Sequence, residues 1–243
     1  MKIEKVLCEK CGSRDHSLFR FCQAKELTLL DDNKVNNRYK RGQVIFFEGN
    51  NPMGLFCISQ GTIKVYRTNA EGKEQILRFA GPGDFLGYRA LIADEPYSAS
   101  AETLEEATIC YIPKDVFFQT MANEPEMSRQ MLKTLCHELG IANERIQHMA
   151  QKSVRERLAE TLLILQETYQ KSRRIATATV GAAEQATNLC LQLPREDIAN
   201  LTGSSTETII RLLTEFKDEG LIAFEGKQIR LLNVARVQRV ARL

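Results

Sequence analysis

Histidine is scarce in this chain. There are three in 243 residues, His16, His137 and His148. None falls in the stretch that reads as β-rich, so the convergent His and carboxylate ligands of a metal enzyme built on strands are missing. Nucleophile motifs and Gly-rich phosphate loops are missing too. The chain therefore reads as a non-enzyme. No apolar run approaches membrane-spanning length, and the N-terminus lacks the apolar core of a signal peptide. A cytoplasmic protein with no membrane partner is expected. An excess of one charge is also lacking, with 33 Lys and Arg against 31 Asp and Glu. From Lys152 onward the balance is 14 against 11, so the small positive excess sits in the C-terminal part. Seven cysteines in a chain of this length do not look like a disulfide scaffold. A hydrophobic content of 43% supports real cores, and the length predicts one large domain or two modest ones.

The segment Leu193 to Gly220 carries the most information. Leu193, Ile198, Ala199 and Leu201 give a first short helix an apolar side. Thr202-Gly203-Ser204 reads as a turn, where Gly supplies the positive φ of a sharp helix-to-helix corner. Ser204 with Glu207 fits a capping box and predicts the start of a second helix. In that helix Ile209, Leu212, Leu213 and Phe216 fall on one face, and Gly220 ends it. The other face carries Thr206, Glu207, Ile210, Arg211 and Thr214. Arg can donate a bidentate pair to guanine, and Glu can accept from the cytosine amino group. Glu207 and Arg211 are four apart and address neighbouring base pairs. The plainer readings are an i,i+4 ion pair or a capping role for Glu207. Ile210 favours base reading, because an outward apolar residue suits a thymine methyl. Beyond the helix, Leu221 to Phe224, a Glu225-Gly226-Lys227 turn and Gln228 to Leu232 predict a β-hairpin wing.

Arg195-Glu196-Asp197-Ile198-Ala199, Gly203-Ser204-Ser205, Glu207-Thr208-Ile209 and Arg211-Leu212-Leu213 resemble the winged helix-turn-helix of the Crp/Fnr family of bacterial transcription regulators. Gly54 to Gly61 and Gly81 to Gly87 extend the resemblance into the N-terminal half. It implies an α+β chain with an N-terminal double-stranded β-roll (jelly roll), a long dimerisation helix and a C-terminal winged helix-turn-helix. Double-stranded DNA becomes the expected partner, read by Ser205, Thr206, Glu207, Ile210 and Arg211. Glu207 and Arg211 match family residues that read the G·C pair of a TGA core. Some family members carry an Arg where this chain has Thr206 and prefer an outer G, so no strong demand for that G is expected. The loop Asn69 to Gln75 resembles a surface that some members present to RNA polymerase, though solubility explains a charged hairpin tip equally well. A ligand-binding regulatory protein whose main output is not DNA binding is the alternative.

Periodicity agrees with that layout. Short apolar runs recur at Val44–Phe47, Leu55–Ile58, Ile63–Tyr66, Gln75–Phe79 and Ala107–Ile112, separated by Gly or Pro. Regular short strands with turn signals suggest a barrel or jelly roll. A long helix is predicted from about Glu124 to Met149. Leu132, Leu139 and Ile146 repeat at seven, as do Leu135, Ala142 and Met149. This a/d stripe is the expected dimer interface, since a palindrome reader needs two-fold symmetry. A hinge near Gln151-Lys152-Ser153 is followed by a helix over Val154 to Tyr169, with Val154, Leu158, Leu162 and Leu165 inward. Ser172 to Asn188 reads as a loose connector. The expected division is a sensor at 1–123, a dimer helix at 124–150 and a DNA-binding domain at 151–243.

The sensor has two candidate signals. Cyclic-nucleotide binders of the family place a Glu and an Arg after Gly-Asp-Phe-x-Gly, the Arg pairing with the cyclic phosphate. Here Tyr88 and Tyr97 occupy those positions, and Arg89 is one residue off. Cyclic AMP in the usual mode is therefore not expected. The oxygen-sensing branch holds an iron–sulfur cluster, and Cys8, Cys11, Cys22 and Cys110 are the possible ligands. That branch has its third N-terminal cysteine six residues after the second, where this chain has Ser17. Cys-x2-Cys suits structural zinc equally well, and unligated thiols are the plain reading. Cys57, Cys136 and Cys190 read as packing residues.

Overall fold

The computed structural model describes residues 6–180, 190–191, 193–226 and 228–242. Three short 3-10 turns, Cys8–Lys10, Arg14–His16 and Leu18–Phe21, lead into helix α1 (Ala24–Asn33). Strands follow wherever the apolar runs predict them: β1 (Val35–Tyr39), β2 (Val44–Phe46), β3 (Gly54–Gln60), β4 (Ile63–Thr68), β5 (Glu74–Ala80) and β6 (Phe85–Leu86). A short α2 (Tyr88–Ala93) precedes β7 (Ser100–Thr103) and β8 (Ala107–Pro113). Two antiparallel sheets result, ordered β1-β8-β3-β6 and β2-β7-β4-β5. This is the expected jelly roll. Ile58, Ile63, Leu86, Ala101 and Ile109 fill the space between its sheets and are almost wholly buried.

Helices α3 (Lys114–Asn123) and α4 (Pro125–Gln151) close one side of the roll. Pro125 suits the first turn of α4, where its missing N–H has no partner to lose. The apolar side of α4 divides in two. Met127 and Met131 are buried in a cluster with Leu27, Leu30 and Phe117, and Leu135 packs beside them. Leu132, Leu139 and Ile146 are 63%, 63% and 70% exposed, and Ala142 is exposed as well. Leu135 thus differs from the interface expectation, because the roll already half-buries it. Cys136 also differs from its reading as a packing residue: it lies exposed on α4.

The break at Lys152 and Ser153 leads into α5 (Val154–Val180). This helix runs past Tyr169, so the loose connector is a correction for residues 172–180; the remainder to Asn188 lies outside the described residues. Alanine, a strong helix former, accompanies the extension. Leu158, Leu162 and Leu165 are fully buried and Val154 packs at their edge, as expected. Then come β9 (Cys190–Leu191), α6 (Arg195–Thr202), α7 (Thr206–Asp218), β10 (Ile222–Glu225), β11 (Gln228–Leu231) and α8 (Val234–Ala241). Strands β10, β11 and β9 form one antiparallel sheet.

The winged part is docked on the roll. Phe79 and Leu104 of the roll pack against its core. Gln75 donates to the Asn200 carbonyl at 2.5 Å. Lys64, buried on β4, lies 2.7 Å from Glu74, 3.6 Å from Glu102 and 3.6 Å from Asp197 of α6. Lys171 of α5 reaches Asp84 at 2.9 Å.

Candidate nucleic-acid interface and sensor site

Helix α7 is amphipathic by its spacing, and the core takes the side that the pattern assigns to it. Ile209, Leu212, Leu213 and Phe216 are buried against α5, α6 and the wing strands. The helix starts one residue later than the capping-box reading. Ser205, not Ser204, is the N-cap, and its hydroxyl accepts from the Thr208 N–H at 3.2 Å. The reason is the corner. Gly203 has φ +71°, and the Gly203 and Ser204 N–H groups both still donate to the Ala199 carbonyl. Ser204 therefore still belongs to the end of α6, and Ser205, in extended conformation, precedes α7 as its cap.

This shift removes the capping role from Glu207, which is exposed and caps nothing among the described residues. Arg211 is exposed too, and its ion-pair neighbour is Glu215 at 3.9 Å rather than Glu207. Ser205 and Thr214 are exposed, Thr206 is half-buried and Ile210 is 50% exposed. One helix side thus presents a carboxylate, a guanidinium and an apolar side chain to solvent, the three chemistries that base edges distinguish.

Arg157, on α5, was not evident as a site residue. Its guanidinium donates to the carbonyls of Lys152 at 2.8 Å, Thr202 at 3.1 Å and Gly203 at 3.4 Å. It ties the inter-helix hinge to the corner before α7, a positioning contact between segments 45 residues apart that no local pattern announces. Arg236 of α8 similarly donates to the Glu219 carbonyl at the end of α7. An open cleft of about 470 Å³ lies between the β4–β5 hairpin and the corner, with Met149 of α4 against Gly203. It is the seam between the two domains. The hairpin tip, Asn69 to Lys73, is exposed, and Asn69 caps it by accepting from the Glu71 and Lys73 N–H groups.

In the roll, the two tyrosines are core residues. Tyr97 stacks on Phe46 with ring centroids 4.0 Å apart. A Cβ on Gly87 would stand 3.0 Å from the Tyr97 ring, so the ring lies directly on the Gly-Asp-Phe-x-Gly turn. Burial pushes the Tyr97 hydroxyl up to about 12. Tyr88 is also buried, and its hydroxyl donates to Glu138 of α4. Arg89 points to solvent.

The cysteines are rearranged relative to expectation. Cys8, Cys11 and Cys110 line one small cavity, as the candidate set requires. Cys22 is not among its walls; it packs in the helical cluster, 3.9 Å from the Met127 sulfur. Cys57 lines the cavity instead, directly opposite Cys110 in the pairing of β3 with β8. Ser17 is a wall of the same cavity. Cys8 is held by α1. Asp31 accepts from the Cys8 N–H at 2.9 Å, and Lys34 reaches both Asp31 at 2.6 Å and the Cys8 sulfur at 2.9 Å. Burial pushes the Cys8 thiol up to about 12 despite Lys34, and Cys110 up to about 11. Cys57 rises for the same reason. Among the described residues, no group of three or more His, Cys, Asp or Glu side chains is placed to hold a single metal ion.

Known proteins agree with this anatomy. Residues 36–124 match the cyclic nucleotide-binding domain and residues 156–240 the Crp-like helix-turn-helix domain. The chain is 30% identical over 235 residues to the anaerobic regulatory protein of Aggregatibacter actinomycetemcomitans, covering 96% of this chain and 86% of that one. The chain belongs to the Crp/Fnr family. As such it is a DNA-binding transcription regulator. It is also 30% identical over 204 residues to the CRP-like cAMP-activated global transcriptional regulator of Mycobacterium tuberculosis, covering 84% and 87% of the two chains. Overall identity therefore does not choose between the family's signals. The structure of FixK2 from Bradyrhizobium japonicum shares the fold with a TM-score of 0.70 at 22% identity, covering 85% of this chain and 96% of that one. Among the described residues no helix is long and apolar enough to cross a membrane.

Proposed function

We propose that this Crp/Fnr-family regulator acts in the cytoplasm as a homodimer on an inverted repeat of TGA-containing half-sites. The division of labour is a sensory roll at 1–123, a pairing helix at 124–150 and a reading domain at 151–243. The outward side of α7 carries this reading. Glu207 and Arg211 stand exposed one turn apart with neither spent on a cap or on each other, and Ile210 faces out between them. Pairing falls to Leu132, Leu139 and Ile146, with Ala142 and Met149 along the edge nearer the roll. Burying a large apolar side chain contributes about 1.5–3 kcal/mol, so the exposed stripe favours a second copy. Of the loop Asn69 to Gln75, the exposed tip Asn69 to Lys73 is the part we assign to RNA polymerase, since Glu74 pairs with Lys64 and Gln75 with the Asn200 carbonyl.

Cyclic AMP is not the signal in this reading. A buried cyclic phosphate needs a paired cation, and the position assigned to that cation holds the stacked ring of Tyr97. A gel shift tests the proposal on a duplex with inverted TGA half-sites, a scrambled duplex and added cyclic AMP. Tight, palindrome-selective binding indifferent to the nucleotide is expected. Equal binding to both duplexes would favour the ligand-binding alternative. A several-fold gain with cyclic AMP would assign the phosphate to another residue.

A further inference from the structure

The seam between the roll and the pairing helix holds cations without anions. Arg78 of β5 and Arg145 of α4 are both half-buried there, and Arg89 of α2 is exposed. None of the three has a carboxylate oxygen within 4.0 Å among the described residues. Their hydrogen bonds go to carbonyls instead. Arg145 donates to the carbonyl of Leu77, the residue before Arg78, and Arg78 donates to the Phe85 carbonyl of β6 at 3.3 Å. A carbonyl accepts a hydrogen bond but leaves the positive charge unbalanced.

The carboxylates nearby are otherwise engaged. Glu138 of α4 accepts from the Tyr88 hydroxyl. Glu160 holds His148 at 2.8 Å and Lys152 at 3.0 Å. Asp84 holds Lys171 at 2.9 Å and accepts from the Gly81 N–H at 2.9 Å. Burial pushes the Arg145 guanidinium below its ordinary value, Glu160 opposes this, and Arg78 adds to it. Burial also raises the Tyr88 hydroxyl, with Arg78 and Arg89 both near enough to oppose it. Two neighbouring like charges, both half out of water, cost stability until an anion joins them. Glu138 and Arg145 are seven apart, so they share one side of α4, and both touch the roll. Between them on that side stands Ala142, short and exposed.

We propose that Arg78, Arg89 and Arg145 bind the phosphoryl group of a small anion across the seam of the roll and α4. Three guanidiniums against the carboxylate of Glu138 leave two positive charges. A phosphate monoester or free phosphate matches that surplus as a dianion, and guanidinium forks suit its oxygens. A phosphodiester, with a single charge, matches it less well. Tyr97, in the cassette position, takes no part. The site uses no residue of α7, so it stands whether or not the half-site reading holds. When occupied, it ties β5 and α2 of the roll to the helix that carries the pairing stripe.

The test uses the full chain and three probes, inorganic phosphate, glycerol 3-phosphate and dimethyl phosphate. Calorimetry reads binding, and thermal melts read the rise in melting temperature that a ligand of the folded state produces. The native chain is expected to bind one phosphate saturably and to melt higher with it. Tighter binding of glycerol 3-phosphate would assign the site to a monoester, and equal binding to free phosphate. Dimethyl phosphate should bind weakest. Arg78→Met and Arg145→Lys should each weaken phosphate binding roughly ten-fold or more, and Arg89→Met should weaken it less. Arg145 also holds the Leu77 carbonyl. Loss of that bond alone would lower the phosphate-free melt and leave the phosphate-dependent rise intact, which overturns a binding role for Arg145. Arg211→Ala, on the DNA-reading side, should bind phosphate as the native chain does. A native chain with neither heat nor a melting shift overturns the proposal. So do Arg78 and Arg145 variants that bind as the native chain does, or binding that disappears in Arg211→Ala.

Discussion

Helices α4 and α7 each turn one side away from their own chain, and the two sides are chemical opposites. The outward side of α4 is apolar, with Leu132, Leu139 and Ile146 exposed. That of α7 is charged and mixed, with Glu207, Arg211 and Thr214 around Ile210. Apolar surface is satisfied by anything that excludes water, and its energy follows area. A guanidinium and a carboxylate are satisfied only by partners at set distances and angles. One helix therefore provides adhesion and symmetry, and the other provides discrimination. Their inner sides are alike: Met127 and Met131 under α4, and Ile209, Leu213 and Phe216 under α7, are all buried. On α7 amphipathic spacing separates inside from outside, on α4 it does not, and outward composition distinguishes the partners.

The contrast breaks most visibly on α4. Leu139→Glu places a charge in the stripe, and burying it unpaired costs more than the contact returns. Analytical ultracentrifugation is expected to show monomers, with palindrome binding lost. A variant that stays dimeric and binds normally would put the interface elsewhere.

On α7 the expected effect is smaller and selective. Arg211→Ala should cost about 1–3 kcal/mol at the core guanine and flatten preference there. Binding measured across a panel of half-site variants checks this. A uniform loss on all sequences would make Arg211 a phosphate contact.

Smallest is the cap. Ser205→Ala removes the acceptor for the Thr208 N–H and should cost about 1 kcal/mol of stability. A thermal melt should move down by a few degrees, while half-site preference stays unchanged. Altered preference would mean that Ser205 reads bases as well as capping.

The sequence disclosed what depends on short-range periodicity. The buried set of α7, the inward side of α5 and the strand runs all follow from spacing and turn glycines. It hid what depends on long-range pairing. Cys57 reads as packing in Leu55–Ile58 and is buried as such, but its place opposite Cys110 appears only when β3 lies beside β8. Cys22 falls beside Cys8 and Cys11 in sequence, yet it packs near Met127 of α4 and does not line their cavity. Leu135 fits the heptad perfectly well, but a heptad does not say whether a partner or the roll covers it. The cap falls at Ser205 and not at Ser204 for a local reason. Ser204, Ser205 and Thr206 are all good caps, and the choice depends on where the Ala199 carbonyl stops accepting. Arg157 was invisible because its partners are carbonyls, which every residue has.

Lys64 sits at the seam between the two domains. A single ammonium sits among three carboxylates, two from the roll and one, Asp197, from the reading domain, so the seam carries surplus negative charge. Burial raises Asp197 above its ordinary value, opposed in part by Lys64, and Glu102 rises for the same first reason. The docked arrangement therefore holds protons more readily than the parted one. Below the ordinary carboxylate range the carboxyls are protonated in both forms, and the docked form's preference for protons contributes in full. As pH climbs through the raised values, that advantage is lost. Lys64 keeps its nearer partner, Glu74, when the domains separate, and Asp197 returns to water. The seam is a proton-linked latch that holds best in acid, and small-angle scattering as pH rises through the raised Asp197 and Glu102 values should show the two domains loosening.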